Sequence, residues 1–182
     1  MVLIRTISQS VLWMIAFATV LTHPGFLLQG AQRTRPDLVR TVGIPATDPW
    51  TDTGILLRTG DHLQIRAWGT VKVAAAATGI GPQGSGTSDG GCTYVVTERR
   101  VRARSLVGNV AQELTFDGSG FYVGASWAGT LPIEGASTRE GRLLLGFNDS
   151  NIMCDRSGYD SWAFRNNNSG AFTAEISVKR AP

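Results

Sequence analysis

The chain has 182 residues, with 17 Lys and Arg against 14 Asp and Glu, a formal charge of +3. So small a charge excludes a strong electrostatic pull toward nucleic acid or anionic lipid, and the length suits one domain with one sizeable core. Twenty-two glycines and few long helix-compatible windows favour an all-β fold with many turns.

The N-terminus reads as a targeting segment. Met1-Val-Leu-Ile-Arg5 carries one charge, residues 11–21 are apolar, and Phe26-Leu-Leu-Gln-Gly-Ala31 leads into polar Gln32-Arg-Thr-Arg35. Charged start, short apolar middle and small residues before a polar boundary mark residues 1–31 as a secretory signal, hence a secreted or periplasmic protein. The rival is a retained membrane anchor, but His23-Pro24 breaks the apolar stretch and leaves it short for a span. Membrane contact is therefore expected only through this segment, if it stays uncleaved. Its removal takes away one charged residue, Arg5, and leaves 16 basic against 14 acidic residues, or +2. Residues 32–40 read as a short mature leader and 41–182 as the folded domain.

In chain order, residues 41–44 read as a first strand, 45–54 as a connection rich in Pro, Asp and Gly, and 55–57 as a second strand. Arg58-Thr-Gly-Asp61 reads as a hairpin turn. His62-Leu-Gln-Ile-Arg-Ala-Trp68 alternates, with Leu63, Ile65 and Ala67 on one face and His62, Gln64, Arg66 and Trp68 on the other. Residues 71–77 read as its continuation past Gly69. Residues 78–91 form a long glycine-rich loop; no Gly-Lys-Ser/Thr follows, which argues against a phosphate cradle. Cys92 and Cys154 are a candidate disulfide in an exported chain, worth roughly 3–5 kcal/mol if closed; the rival is two free thiols. Arg100, Arg102 and Arg104 share one face of an expected strand. Without interleaved aromatics they read as a solvated basic face, and no nucleic-acid partner is expected. Short strands follow at 105–110, 113–116 and 121–125, with a turn at 117–120, and 127–139 reads as irregular. Together these elements predict a β-sandwich of antiparallel strands.

The last third carries the chemistry. Gly141-Arg-Leu-Leu-Leu-Gly-Phe-Asn-Asp149 is an apolar run of strand length ending in a carboxylate. Ala171-Phe-Thr-Ala-Glu-Ile-Ser-Val178 alternates, and Asn166-Asn-Asn-Ser-Gly170 precedes it. If these two strands pair, Asp149 meets the amides of Asn167 and Asn168 at one end of a sheet. Carboxylate and amide oxygens suit a hard cation such as calcium, not zinc or a redox metal. The rival is that these residues only form turns.

Read in order, Trp50-x-Asp52-Thr-Gly-Ile55, Gly60-Asp61-x-Leu-x-Ile-x-Ala67-x-Gly69, Gly81-Pro-Gln-Gly84, Leu106-Val-Gly108, Phe121-Tyr-Val-Gly124, the 141–149 run and Asn167-Asn-Ser-Gly-Ala-Phe172 form a pattern. It resembles the PA-IL-like (LecA-like) bacterial galactophilic lectins over about residues 39–179. The resemblance implies a small jelly-roll-like β-sandwich with a calcium ion that touches protein and sugar hydroxyls. It makes Asp149, Asn167 and Asn168 side-chain ligands, with Asp149 and Asn167 also on the sugar. It adds backbone carbonyls near Val73 or Ala74 and near Phe164. It also leaves room for a homo-oligomer, since family lectins often assemble. Two departures matter. Seventeen residues, 150–166, separate Asp149 from Asn167, where family lectins have a short loop. The stretch after Gly81-Pro-Gln-Gly84 lacks the sugar-contacting histidine and glutamine, so galactose specificity does not carry over.

Trp68, Trp127, Tyr159 and Trp162 are candidates to stack on a sugar; the inserted loop makes Tyr159 and Trp162 the better two, against core or rim packing. An enzyme is not expected. Glycoside hydrolysis needs two carboxylates flanking one bond; Asp149 could be set with Asp155 or Asp160, but Asp149 would be spent on the metal. His62, the one histidine left after signal removal, lies on a polar strand face with no nucleophile elbow. The expected function is a secreted calcium-dependent carbohydrate-binding module with a glycan partner. The alternative is a structural or protein-interaction sandwich that has lost the sugar.

Overall fold

The computed structural model describes residues 37–73, 77–85, 95–97, 101–114, 118–149 and 168–182, all within the unit Thr34–Pro182. Residues 1–31, expected to be a signal, and Cys92, Cys154, Tyr159, Trp162 and Asn167 lie outside the described residues.

The described residues form eight antiparallel strands: β1 (Leu38–Pro45), β2 (Thr51–Leu57), β3 (His62–Lys72), β4 (Leu106–Ala111), β5 (Phe121–Tyr122), β6 (Ser126–Thr130), β7 (Gly141–Phe147) and β8 (Ser169–Lys179). They make two sheets, ordered β1-β8-β3-β6 and β2-β7-β4-β5. All but one connection between consecutive strands, β4 to β5, passes from one sheet to the other. This is the jelly-roll order, two Greek keys closed face to face.

Alternation decides the first sheet. Along β3, Leu63, Ile65, Ala67 and Val71 are buried while His62, Gln64, Arg66 and Trp68 are exposed. On β8, Phe172, Ala174, Ile176 and Val178 are buried in register with that face. The central strands of the second sheet are buried on both faces: every residue of β4 is buried, as is every residue of β7 but Arg142. That explains why Leu143, Leu144 and Leu145 run without alternation. Phe147 of β7 and Phe172 of β8 meet across the two sheets, ring centroids 5.9 Å apart at 72°.

Several expectations change. The strands at 141–147 and 169–179 do not pair; they belong to opposite sheets. Residues 58–61 are not a hairpin tip, because β2 and β3 also lie in different sheets, so this turn is a corner of the sandwich. Strand β1 begins at Leu38, inside the expected leader, because residues 38–45 pair along their whole length with β8. β2 begins at Thr51: Thr53 turns inward and its Oγ1 donates to Leu143 O at 2.7 Å. Gly54, at φ +68°, then absorbs the register shift between Asp52 and Leu56. Residues 101–105 are a turn, with Arg104 at φ +58°, and not a strand, although Val101, Ala103 and Ser105 are buried as alternation requires. Glu113 and Leu114 are not in a strand either. Conversely β6 lies within the stretch read as irregular. Its Ala128 and Gly129 supply no apolar period, and Trp127 alone anchors it, tilted at 5.0 Å on Phe121.

Candidate functional site

Asp149 follows β7, and Asn168 immediately precedes β8. Although their strands sit in opposite sheets, the two side chains meet at one pole of the sandwich. Asn168 Nδ2 donates to Asp149 Oδ2 at 2.9 Å and to Ala46 O at 3.0 Å. Both residues are 6 % exposed.

Local chain geometry holds each partner. After Phe147 the chain tightens, Asp149 N donating to Phe147 O at 2.9 Å. Asn148, 1 % exposed, is pinned on every side. Its Oδ1 accepts from Val96 N at 2.9 Å and its Nδ2 donates to Arg102 O at 3.1 Å. Its own N–H donates to Ser105 O and its carbonyl accepts from Arg104 N. Asn148 thus ties the segments at 95–97 and 101–105 to the end of β7. On the other side, Ala46 N donates to Gly170 O at 3.1 Å, which sets the Ala46 carbonyl that receives Asn168. Gly170 has φ +85°, and a Cβ there would lie 2.5 Å from Thr70 O; only glycine lets β8 start this close to β3.

The chemistry of the partners fixes how the Asn168 amide sits. A backbone carbonyl accepts and cannot donate, and an ionised carboxylate does the same. The nitrogen must therefore face both, and Oδ1 is left buried without a hydrogen-bond partner. Buried polar atoms are seldom left so. Trp50 Nε1 and Thr51 Oγ1 are also buried without partners, but neither belongs to the expected donor set. Among the described residues no three His, Cys, Asp or Glu side chains gather as a metal cluster; the donors described at this pole are one carboxylate and an amide oxygen. That donor set fits calcium and is foreign to zinc.

Asp149 and Asn168 are thus brought together as expected, but through sheet-on-sheet packing and not strand pairing. Asn167, Tyr159, Trp162 and the stretch near Phe164 fall outside the described residues, as does Ala74. Val73 lies just past the end of β3. The glycine-rich loop begins against the same region: Leu106 N donates to Pro82 O at 2.8 Å and Ser85 N to Ala103 O at 3.1 Å. Sequence reasoning missed Ala46 and Asn148. A carbonyl acceptor carries no side-chain signal at all, whereas Asn148, adjoining the carboxylate in the Asn-Asp pair, was visible but had no assigned role.

A different carboxylate clasps the opposite pole. Asp61, 1 % exposed, accepts from Arg58 N at 2.9 Å, Arg180 Nη1 at 2.6 Å and Ala181 N at 3.2 Å. Burial pushes its carboxyl up. The Arg58 N–H, the Arg180 side chain, the Ala181 N–H and the Arg180 charge outweigh that and hold it below its ordinary value.

No family profile matches the chain, and no curated protein matches it. Among solved structures it is similar to "EclA N-terminal domain; PllA-like lectin", with 20% identity and a TM-score of 0.47, over 76% of this chain and 95% of that one. A likeness that distant leaves the function to the residues themselves.

Proposed function

We propose that this chain is a secreted, non-catalytic carbohydrate-binding module of the lectin type that takes its glycan through a calcium ion. The observation that carries this is the buried, partnerless Oδ1 of Asn168 beside the Asp149 carboxylate. Asp149 and Asn168 would hold the ion together with Asn167. Carbonyls near Val73 or Ala74 and near Phe164 are the further donors that the lectin resemblance supplies. A calcium ion with a single carboxylate among its protein ligands stays electropositive and accepts vicinal hydroxyls. The chain's own part is orientation. The Asn168 amide fixes the carboxylate through its N–H, Ala46 fixes the amide, and Asn148 anchors the adjoining loops. Tyr159 and Trp162 of the insertion are the candidate stacking residues, and the insertion is the natural source of a specificity different from galactose.

Titration of the exported protein with calcium by calorimetry, then a glycan array with and without EDTA, tests this. Binding of calcium by the wild type, its loss in Asp149→Ala, and glycan signals that vanish in EDTA are expected. An Asp149→Ala protein that takes up calcium and glycan normally overturns the proposal. Absence of both calcium and glycan binding in the wild type would leave a structural or protein-interaction sandwich.

A further inference from the structure

Two of the candidate stacking aromatics lie among the described residues, and they have opposite fates. Trp127 packs on Phe121 inside the sandwich. Trp68 stands on the outer face of the first sheet and is 51 % exposed. The other large apolar side chains this exposed among the described residues, Val39, Leu56 and Leu114, are aliphatic.

The surface beside Trp68 is open and polar. Trp68 is opposite Thr173 in register, and Thr173 is opposite Gly43. A side chain added at Gly43 would meet nothing within 4 Å. The indole therefore borders a shelf two strands wide, about 10 Å, floored by a small hydroxyl side chain and bare backbone. In the next row Arg66 faces Glu175, which faces Thr41; opposite charges in register leave that row neutral. Beyond it come Gln64, Ser177 and Val39.

This combination selects its occupant. An anion would find Arg66 and Glu175 in one row, with no net positive charge to hold it. A protein partner or second copy would find two separated apolar groups on a polar sheet, whereas the centre of a stable interface is more apolar than that. A neutral polyhydroxylated ring matches both halves, its C–H face on the indole and its hydroxyls on Thr, Gln, Arg and Glu side chains. We infer that the outer face of the first sheet, centred on Trp68 and the shelf over Thr173 and Gly43, is a second, calcium-independent contact site for a neutral glycan chain. The site shares no residue with the Asp149–Asn168 pole, so either can fail alone.

Native affinity electrophoresis in EDTA tests it, using gels with and without soluble galactomannan, xyloglucan or mixed-linkage β-glucan. The wild type is expected to be retarded by at least one of these. Trp68→Ala should weaken that retardation about tenfold. Gly43→Gln, whose Cβ would meet nothing within 4 Å and whose side chain lies over the shelf, should weaken it similarly at an unchanged melting temperature. Adding calcium in place of EDTA should leave the Trp68-dependent part of the retardation as it was. Unretarded wild type in all three gels, or full retardation of Trp68→Ala, overturns the inference. So does a concentration-dependent dimer, seen by light scattering, that Trp68→Ala dissolves.

Discussion

Truncating Asn168 to Ala separates a hydrogen-bonding role from a metal-binding one. The side chain makes two bonds through Nδ2, one to a neutral carbonyl and one to a carboxylate, and strands its own oxygen. A neutral bond nets about 1 kcal/mol and one to a charged group about 2. Removing both should destabilise by about 3 kcal/mol, offset by about 1 kcal/mol because the stranded oxygen goes too. In EDTA the variant should therefore lie about 2 kcal/mol below the wild type. With calcium at about 100 times its dissociation constant the wild type gains about 2.7 kcal/mol, and a variant lacking one donor gains little. The gap then widens to about 4–5 kcal/mol.

For a domain of this size each kcal/mol moves the melting temperature by about 2–4 °C. Scanning calorimetry or dye-based melting should give a drop of about 4–8 °C in EDTA and about 8–20 °C in calcium. The diagnostic quantity is the difference between the two buffers. An identical drop in both would mean that Oδ1 serves no ion, and the assignment of Asn168 as a ligand would fail.

Two further outcomes concern the scaffold. Asp61→Asn weakens three bonds to a buried carboxylate and leaves the Arg180 charge without its counter-charge, so urea unfolding at pH 7 should show a loss of about 2–3 kcal/mol. The folded-state pKa of Asp61 lies below its ordinary value, so its contribution is complete above that value and is lost as pH falls through the lowered one. The gap between wild type and variant should thus narrow below about pH 4; a constant gap from pH 7 to pH 3 would contradict this. Phe172→Ala removes one half of the Phe147–Phe172 contact between the sheets and should cost about 3–5 kcal/mol, read from the denaturant midpoint.

How much of this was legible in the sequence depended on which neighbours mattered. Alternation within β3 and β8 is a property of a single strand against a single core, and every inward residue from Leu63 to Ala67 and from Phe172 to Val178 could be named in advance. Partnership between strands is not local. Treating 55–57 with 62–68, and 141–149 with 171–178, as neighbours assumed that strands close in sequence pair. A jelly roll does the opposite, sending consecutive strands to facing sheets. β6 was missed because Gly129 interrupts any period; its place is set by register against β3, from His62 to Arg66. The meeting of Asp149 with Asn168 came through for a different reason than the one given: the end of one strand and the start of the next-numbered strand share a pole whether they pair side by side or stack face to face.

That distinction bears on what the two poles do. At each pole a buried carboxylate joins the two sheets, Asp61 through Arg180, which also reaches Leu56 O of β2, and Asp149 through Asn168, whose amide also holds the carbonyl after β1. As clasps they are alike; as chemistry they differ. Around Asp61 the chain supplies two backbone N–H groups and a guanidinium, all donors, so the negative charge is met by the protein. At the other pole Asn168 donates its nitrogen to Asp149 and leaves its own oxygen buried without a hydrogen-bond partner. A purely structural clasp at that pole would be better served by a donor-only group such as the guanidinium opposite. A buried oxygen with no donor of its own is an unmet acceptor, and that is the physical ground for placing the proposed cation at this pole and not at the pole where donors surround the carboxylate.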